Sequence, residues 1–390
     1  MLTVLWASVL CALGTWIYLI GARGGFWRAD QRLTPQKALD AWPSVVAVIP
    51  ARNECDVIGR VIAAHMNLRY PGSYHVILVD DRSEDGTADI ARSAARETAG
   101  ALTITTAPSL EEGWTGKLWA LNHGLGMVGG IMPDADYILF TDADILYEPD
   151  TLGHLVAKAE EENLSLVSLM ALLDARGFWG GMLIPAFIFF FQKLYPFALV
   201  NEPVHPMAGA AGGSMLMRRD ALLTVGGVAP IHNELIDDCA LARLIKQDPP
   251  VRRIWLGLTR SVVSLRDNHK LSSIWDMVAR TAYTQLKYSP VLLIGSLLGL
   301  MMLYLAAPLA VLSWPLHSQT ALVVLGGIVW LMMAAAYGPT VKFYDYPLVF
   351  AFALPLSAGL YAAMTLASGV RHWRGTGARW KGRHYQAAGS

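Results

Sequence analysis

Two aspartates one residue apart, Asp142 and Asp144, follow a run of apolar and aromatic residues in the stretch YILFTDADIL. Like charges at the end of a buried strand repel each other and are costly to desolvate unless a positive charge lies near them. A hard divalent cation suits that role, because Mg²⁺ or Mn²⁺ is commonly held by one or two carboxylates together with substrate phosphates. Acidic pairs also cap loops, so the pair alone is a weak signal. Placed after a predicted strand, it predicts a metal site facing a phosphorylated ligand.

Polar residues also follow two earlier predicted strands. PARNE (residues 50–54) overlaps the end of the apolar run SVVAVIP at Pro50. DDRSEDGT (residues 80–87) directly follows the apolar run YHVILV. Asp and Asn side chains there could accept hydrogen bonds from a base or a ribose, and Gly86 permits a tight turn into a following helix. Turn chemistry, with Ser83 or Asp85 as a helix cap, explains the same residues without any ligand.

Residues 42–287 alternate β-rich runs with helical stretches, a pattern typical of a mostly parallel sheet covered by helices. Ligands of such open sheets bind beyond the carboxyl ends of the strands, which is where the polar residues fall. The runs predict a helix at 54–66 and strands at 44–50, 74–81, 101–106 and 137–144.

Long uncharged runs at both ends of the chain indicate a membrane protein. Hydrophobic residues make up 54% of the chain and charged residues 16%. Leu2–Ile20 is uncharged and, at about 1.5 Å per residue, nearly crosses a hydrocarbon core of about 30 Å. This predicts a transmembrane anchor at 1–21 that is retained, since no basic residue precedes it. Pro290–Trp314, Ala321–Gly338 and Tyr346–Val370 predict a C-terminal membrane region at 290–370.

The basic residues predict the orientation. Arg23, Arg28 and Arg32 follow the anchor and should stay in the cytosol, so the middle of the chain should face the cytosol too. The aromatic tail at 371–390 is equally basic and is also predicted to be cytosolic. Three full crossings would place that tail outside, so either one apolar run is re-entrant or interfacial, or the positive-inside bias fails here. We give the dense basic tail more weight than the crossing count.

Net charge gives no support for nucleic-acid binding, and the cysteine spacing gives none for a cysteine-held metal site. With 31 basic and 31 acidic residues the chain has no net charge, which gives no case for nucleic-acid binding. Cys11, Cys55 and Cys239 are widely separated and lack metal-ligand spacing, so they are interpreted as reduced thiols.

Taken in order, the motifs resemble those of a known family. VIPARNE, VDDRSEDGT and TDAD, followed by GWTGKLWAL, AAGGSMLMRRDAL and IDDCALAR, resemble the inverting family 2 glycosyltransferases. With LIPAFIFFFQKLYPFALVN, RTAYTQLKYSP and RHWRGTGARWKGR, nearly the whole chain resembles the hopene-associated glycosyltransferases of hopanoid-producing bacteria. The resemblance implies an α/β domain of the GT-A, Rossmann-like type at 22–289. It also implies a multi-pass protein of the bacterial inner membrane.

The resemblance implies roles for the strand-end residues. Asp142 and Asp144 would hold a divalent metal, Mg²⁺ or Mn²⁺, across the diphosphate of a nucleotide-sugar donor, expected to be a UDP-sugar. Lys117 would add a point charge to the same phosphates, although a solvated surface lysine is the simpler interpretation. The residues bordering the nucleotide would be Pro50, Arg52, Glu54, Asp80 and Asp81, with Asp81 as the partner of the base.

Inversion requires a base that takes a proton from the acceptor hydroxyl. The resemblance assigns it to Asp237 and Asp238, and we choose Asp238, although acidic residues at a helix start can simply complement the helix dipole. Gly212 and Gly213 would let the backbone approach the sugar or acceptor. The family's Gln-x-x-Arg-Trp motif is absent, which favours a single transfer and leaves Arg280 as a tentative phosphate contact.

The segment 177–200 is apolar but is interrupted by Pro185 and Pro196. It predicts an interfacial helix pair lying on the membrane, with a buried helical insert as the alternative.

The whole chain is therefore predicted to transfer a sugar from a nucleotide-sugar donor to a membrane lipid, by resemblance a hopanoid. Two alternatives remain. The acceptor could be a polyprenyl phosphate, which needs no strong base. The chain could also be a non-catalytic membrane protein that binds nucleotide sugars.

Overall fold

The computed structural model describes residues 2–95, 102–375, 379–380 and 383–384. The chain forms two compact units. We call residues 1–29, 174–198 and 267–386 the helical unit, and residues 30–173 and 199–266 the sheet unit. Most of the predicted domain at 22–289 lies in the sheet unit, whereas its stretches 174–198 and 267–289 belong with the apolar helices.

Within the described residues, the sheet unit is built on one eight-stranded sheet with the order β3-β2-β1-β4-β7-β6-β8-β5. β3, β2, β1 and β4 are parallel neighbours, as are β6 and β8, while β7 is antiparallel to both its neighbours and β5 is antiparallel to β8. The strands are β1 (Val45–Ala51), β2 (Tyr74–Asp80), β3 (Leu102–Thr106), β4 (Tyr137–Thr141), β5 (Ile145–Tyr147), β6 (Leu166–Leu172), β7 (Ser214–Arg218) and β8 (Ile254–Ser264).

Helices follow most strands, as the alternating pattern predicts. In chain order they are α1 (Leu2–Ala22), α2 (Cys55–Met66), α3 (Thr87–Ala95), α4 (Gly116–Ile131), α5 (Thr151–Glu161), α6 (Gly177–Leu194), α7 (Phe197–Asn201), α8 (Arg219–Thr224), α9 (Asp237–Gln247), α10 (Leu271–Gln285), α11 (Pro290–Leu300), α12 (Ala306–Leu312), α13 (Trp314–His317), α14 (Thr320–Phe343) and α15 (Leu354–Trp373). A π-helical turn occupies Met301–Leu305, and 3₁₀ turns occupy Phe26–Arg28, Ala229–Ile231 and Leu348–Ala353. Two short strands, β9 (Arg379–Trp380) and β10 (Arg383–His384), pair near the chain end.

The core of the sheet unit explains why its central strands are continuous apolar runs. All seven residues of β1 are buried, because helices cover both faces of a parallel sheet. α4 packs closely on this strand at Gly124, where an added Cβ would lie 2.5 Å from Cγ1 of Val48 and 2.8 Å from Cγ2 of Val79. Only glycine allows that approach. It fixes the start of α4 beside the carboxyl ends of β1 and β4.

The helical unit contains the predicted membrane runs. By length and composition, five segments of the described chain could cross a membrane: α1, α6, Pro290–Leu312, α14 and Leu348–Trp373. Four of them correspond to the uncharged runs in the sequence. The fifth, α6, continues through Pro185 without ending there, and Pro196 lies between α6 and α7. More than half of α6 is enclosed, against about a fifth of α1. Of the predicted tail, residues 376–378, 381–382 and 385–390 lie outside the described residues.

Candidate active site

A pocket lies in the sheet unit where β1 and β4 end and α4 and α9 begin. Backbone N–H groups at the starts of two helices make such a place favourable for anions. Apolar side chains such as Leu121, Val228 and Leu241 complete its walls. The sequence-predicted site residues that line it are Pro50, Lys117, Asp142, Gly212, Asp237 and Asp238.

Lys117 links the predicted metal and base residues. Its Nζ lies 2.9 Å from Oδ1 of Asp142 and 3.1 Å from Oδ2 of Asp237. α4 presents this lysine in its first turn, and the side chain of Thr115 caps the helix by accepting from Leu118 N–H. Burial by itself would lower the pKa of Lys117, but the two carboxylates more than offset it, and the pKa lies well above its ordinary value. Lys117 is therefore a fixed cation and not a solvated surface lysine.

Asp238 occupies the second position of α9 and faces the backbone across the pocket. Its carboxylate accepts from the N–H of Gly212 at 2.8 Å and from its neighbour Cys239 N–H at 2.7 Å. Burial and the nearby charge of Asp237 raise its pKa to about 6, although Lys117 and the two N–H groups act the other way. A carboxylate of this kind is ionised at neutral pH and is a better proton acceptor than an ordinary aspartate.

The approach of Gly212 to Asp238 leaves no room for a side chain. An added Cβ on Gly212 would lie 3.2 Å from Lys117 Nζ and 3.3 Å from Asp238 Oδ2. At Gly213 the nearest atom, 3.2 Å away, is Cδ1 of Ile145. Gly212 thus approaches Lys117 and Asp238 closely, while Gly213 contacts the strand next to Asp144, and the approach of a sugar or acceptor to either glycine stays a prediction.

Asp142 and Asp144 lie on the turn between β4 and β5, where the amide of Ile145 donates to the carbonyl of Asp142. Asp142 is 37% exposed and faces the pocket, whereas the side chain of Asp144 is 11% exposed and lies 3.3 Å from Nε of Arg266. Burial raises the pKa of Asp144, Arg266 opposes that shift, and the charge of Asp142 adds to it.

The donor set at this turn fits a hard divalent cation in part. Both side chains offer carboxylate oxygens, the ligands that Mg²⁺ and Mn²⁺ prefer. No group of three or more His, Cys, Asp or Glu that could hold a metal ion occurs in the part of the chain that the structure describes. The protein can thus supply two carboxylates, and phosphate oxygens of a bound ligand would complete the shell.

The predicted nucleotide-binding residues lie at the ends of β1 and β2. Arg52 Nη1 donates to the carbonyl of Asp81 and lies 3.9 Å from its carboxylate, and the Asp80 carboxylate accepts from the Ser83 N–H at 3.3 Å. Glu54 N–H donates to Thr87 Oγ1 at 2.9 Å.

Hydrogen bonds connect these two strand-end loops directly. Asn53 adopts a left-handed conformation, with φ of 51°, which lets its N–H donate to Ser83 Oγ and its side chain accept from Glu84 N–H. Asp85 accepts from the N–H groups of Cys55 and Thr87. These are hydrogen bonds of the kind that the turn-chemistry interpretation predicts, and they hold the two strand ends next to each other.

One predicted site residue lies outside the sheet unit, and two contacts near the pocket were not predicted from the sequence. Arg280 belongs to α10 in the helical unit, not to the unit that contains the pocket. Arg266 reaches Asp144 only because β8 runs antiparallel to β5, a pairing that no local pattern reveals. The ring of Trp114 packs at a tilt against that of His232, and Thr115 N–H donates to the His232 carbonyl, so the loops before α4 and α9 are joined.

Comparison with known families agrees with this geometry. The model described as Glycosyl transferase family 2 matches residues 46–226, from β1 to just beyond α8. Residues 46–226 are thus similar to a family 2 glycosyltransferase domain. The predicted enzyme class is thereby confirmed. Asp237, Asp238 and Arg266 lie beyond the matched residues, and their roles stay predictions.

Two curated relatives of this glycosyltransferase domain have names that refer to lipids. The chain is 27% identical over 241 residues to beta-monoglucosyldiacylglycerol synthase of Trichormus variabilis, with 58% of this chain and 48% of the relative covered. It is 33% identical over 121 residues to undecaprenyl-phosphate 4-deoxy-4-formamido-L-arabinose transferase of Serratia proteamaculans, with 30% and 34% covered. The chain thus spans about half the length of the first relative and about a third of the second.

A solved structure shows the fold over nearly the whole chain. The mannosyltransferase PcManGT from Pyrobaculum calidifontis, in complex with GDP-Man and Mn²⁺, matches with a TM-score of 0.55 at 19% identity. The match covers 95% of this chain and 99% of that chain. The predicted GT-A fold, accompanied by apolar helices at both ends, is confirmed. The sheet is more mixed than predicted, because β7 and β5 pair antiparallel with their neighbours.

Proposed function

We propose that this protein is an inverting glycosyltransferase that moves one sugar from a nucleotide-sugar donor to a membrane lipid. The observation that carries the proposal is the position of Lys117 between Asp142 and Asp237, in the same pocket as Asp238. A cationic side chain for a diphosphate and a carboxylate for an incoming hydroxyl thus face a single cleft.

Asp238 is the proposed base. With a pKa of about 6 it is ionised at neutral pH, and one of its oxygens can take the proton of the acceptor hydroxyl. As the hydroxyl oxygen forms its bond to the anomeric carbon, the bond from that carbon to the nucleoside diphosphate breaks, and the diphosphate leaves with the electron pair. The N–H of Gly212 orients the carboxylate during this step.

Lys117 and the strand-end loops would bind the donor. Lys117 places a fixed positive charge where negative charge grows on the leaving diphosphate. Asp142 and Asp144 would hold Mg²⁺ or Mn²⁺, which when bound would stabilise the same charge. Arg52 and Asp81, held at neighbouring strand ends, would border the nucleotide, for which a UDP moiety is proposed.

The lipid acceptor is supported by the helices and by the relatives. The helical unit has apolar segments long enough for a bilayer, and two relatives are named for transfer in diacylglycerol and undecaprenyl-phosphate chemistry. The resemblance to hopene-associated glycosyltransferases supports a hopanoid as the acceptor. We place the protein in the bacterial inner membrane, with the sheet unit in the cytosol.

The fold of the sheet unit limits how α6 can meet that membrane. The chain leaves β6, passes through α6 and returns to β7, and these two strands pair, with Leu166 opposite Met217. If the sheet unit lies outside the bilayer, both ends of α6 would lie on the same side of it. This supports the interfacial or re-entrant placement of residues 177–200 over a simple crossing.

A donor screen in detergent with native lipid extract tests the proposal, with glycolipid products measured by mass. We expect one nucleotide sugar to give a glycolipid, the activity to vanish on chelation and Mg²⁺ or Mn²⁺ to restore it. Asp142→Ala and Asp144→Ala should each abolish product formation, since either change leaves one carboxylate for the cation. Donor binding without turnover for every sugar would instead indicate a nucleotide-sugar sensor.

The acceptor class is tested by Asp238→Asn. Near-normal turnover of this variant would favour a polyprenyl phosphate, because an ionised phosphate oxygen attacks without losing a proton to a base.

A further inference from the structure

The last turn of α6 carries a lysine that lies among aromatic side chains. Lys193 Nζ donates to the hydroxyl of Tyr304 at 2.9 Å and lies over the rings of Tyr304 at 4.9 Å and Phe190 at 5.2 Å. Tyr304 is fully buried. Among the described residues no carboxylate forms an ion pair with Lys193.

These neutral contacts satisfy the ammonium group only in part. An ammonium has three N–H donors, and the Tyr304 hydroxyl accepts one of them. Aromatic rings attract a cation but cannot replace a counter-ion where water is scarce, because a partly buried charge loses several kcal/mol of hydration. An anion beside Lys193 would complete its coordination.

A second cation lies beside this lysine. Arg23 follows the end of α1, and its Nη2 is 3.5 Å from the carbonyl oxygen of Leu194, the residue next to Lys193. Trp16 Nε1 donates to the Leu303 carbonyl at 3.0 Å, so α1 is fixed to the π-helical turn that carries Tyr304. Three elements thus hold two cations and an aromatic wall in one place.

The charge of the whole helical unit points to the same class of ligand. Its sequence contains thirteen Lys and Arg against four Asp and no Glu, although the chain as a whole is neutral. Two of those aspartates already have arginine partners, since Asp174 pairs with Arg176 and Asp276 with Arg371. The excess positive charge is therefore not neutralised within this unit.

Apolar side chains are also exposed on α1. Ile17 is 58% exposed and Tyr18 is 54% exposed, one to two turns before Arg23. An acyl chain could lie against these residues while its headgroup reaches the end of the helix. A free anion would gain nothing from such a surface.

We propose that Lys193 and Arg23 bind the phosphate of an anionic membrane lipid, with the buried Tyr304 hydroxyl orienting the ammonium of Lys193 and Phe190 lying beside it. The site goes beyond the proposed transfer reaction, since it lies in the helical unit and uses none of the donor-binding residues. Its occupation would stabilise the meeting point of α1, α6 and the π-helical turn.

The test compares lipids bound to the purified full-length protein by native mass spectrometry, with thermal unfolding in detergent as the second readout. Phosphatidylglycerol should be retained over phosphatidylcholine and should raise the unfolding temperature more. Lys193→Met should lower phosphatidylglycerol retention roughly fivefold or more, and Arg23→Gln should act in the same direction. Lys342→Met is the matched control, because Lys342 is an exposed lysine in the last turn of another apolar helix, α14.

Three results would overturn the proposal. The wild-type protein could retain both lipids equally, or Lys193→Met could behave like Lys342→Met. Inorganic phosphate could also raise the unfolding temperature as much as phosphatidylglycerol, which would exclude a lipid as the ligand. Arg23→Gln keeps the test valid if Lys193→Met does not fold. Neither readout requires transferase activity, so failure here is distinguishable from failure of the proposed function.

Discussion

The two neighbouring aspartates at the start of α9 differ in their surroundings, and that difference distinguishes their roles. Asp237 is held by the ammonium of Lys117, which lies 3.1 Å from one of its oxygens and offsets its charge. Asp238 faces the backbone N–H of Gly212, and burial raises its pKa to about 6. Asp238 therefore combines a position in the pocket with a pKa suited to accepting a proton near neutral pH.

The pH dependence of transfer should follow Asp238. Its raised pKa means that the active carboxylate form is present above about pH 6 and is lost below it, so kcat/KM should fall about tenfold per pH unit on the acidic side. Asp238→Asn should lower kcat by roughly 10²- to 10⁴-fold and remove this limb. The measurement is kcat/KM from pH 4.5 to 8. Asp237→Asn should keep the fall of kcat/KM on the acidic side. If that fall persists in Asp238→Asn, Asp238 is not the base.

Gly212→Ala should reduce activity through geometry. The new methyl group would lie 3.2 Å from Lys117 Nζ and 3.3 Å from Asp238 Oδ2, so both side chains must move. The shift needed is a few tenths of an ångström, so the loss in rate should be smaller than the roughly hundredfold cost of a 1 Å misplacement at a reacting group. We expect kcat to fall while the unfolding temperature changes little. Gly126→Ala is the control, since nothing lies within 4 Å of a Cβ there, and equal losses in both variants would contradict the proposed role.

At the scale of elements, the sequence predicts the half of the sheet whose strands and helices alternate along the chain. β1 to β4 are apolar runs that end in polar residues, and the predicted strands overlap them closely. The other half depends on pairings between distant segments: β7 is inserted antiparallel between β4 and β6, and β8 brings Arg266 to Asp144. α6 shows the same limit, because Pro185 predicts an interruption that tertiary packing overrides.

His65 should make the sheet unit sensitive to acid. It is buried in α2, its Nδ1 lies 2.6 Å from the Tyr74 hydroxyl, and it packs on Tyr147. Burial lowers its pKa from 6.5 to about 4, so the folded state binds fewer protons than the unfolded state. Stability is then complete above pH 6.5 and falls as the pH drops towards 4, by about 3 kcal/mol in all.

Thermal unfolding of the detergent-solubilised protein between pH 7 and pH 4 checks this expectation. In His65→Gln the decline over that range should be clearly shallower than in the wild type, even if the variant is less stable at pH 7. His75→Gln is the comparison variant, because His75 is only partly buried and contacts Thr103 at the sheet edge. Parallel curves for wild type and His65→Gln would show that other groups cause the acid sensitivity.

At the scale of the whole molecule, charge and hydropathy are divided between the two units. The helical unit carries the basic excess and the candidate membrane segments, so the sheet unit carries the compensating acidic excess and the pocket. The sequence predicts the apolar helices at both ends of the chain. It does not predict that residues 174–198, in the middle of the chain, belong to the same unit as those helices. Nothing in their local composition distinguishes such an excursion from a full crossing.

Because β6 pairs with β7, labelling in sealed membranes can test whether the two ends of α6 lie on the same side of the bilayer. Glu161→Cys before β6 and Val204→Cys after α7 place thiols at exposed positions on either side of α6 in the sequence, with the native Cys11, Cys55 and Cys239 replaced by alanine or serine. An impermeant maleimide should label both positions in inside-out vesicles and neither in spheroplasts, because a crossing by α6 would separate two paired strands.

Ser318→Cys, in the exposed loop before α14, is the control for the opposite face, since one crossing by Pro290–Leu312 should carry it outside. It should be labelled in spheroplasts only, which verifies that the vesicles are sealed and oriented. Labelling of positions 161 and 204 from opposite sides would mean that α6 spans the bilayer. That result could not coexist with the pairing of β6 and β7, and it would refute the fold of the sheet unit together with the cytosolic placement of its pocket.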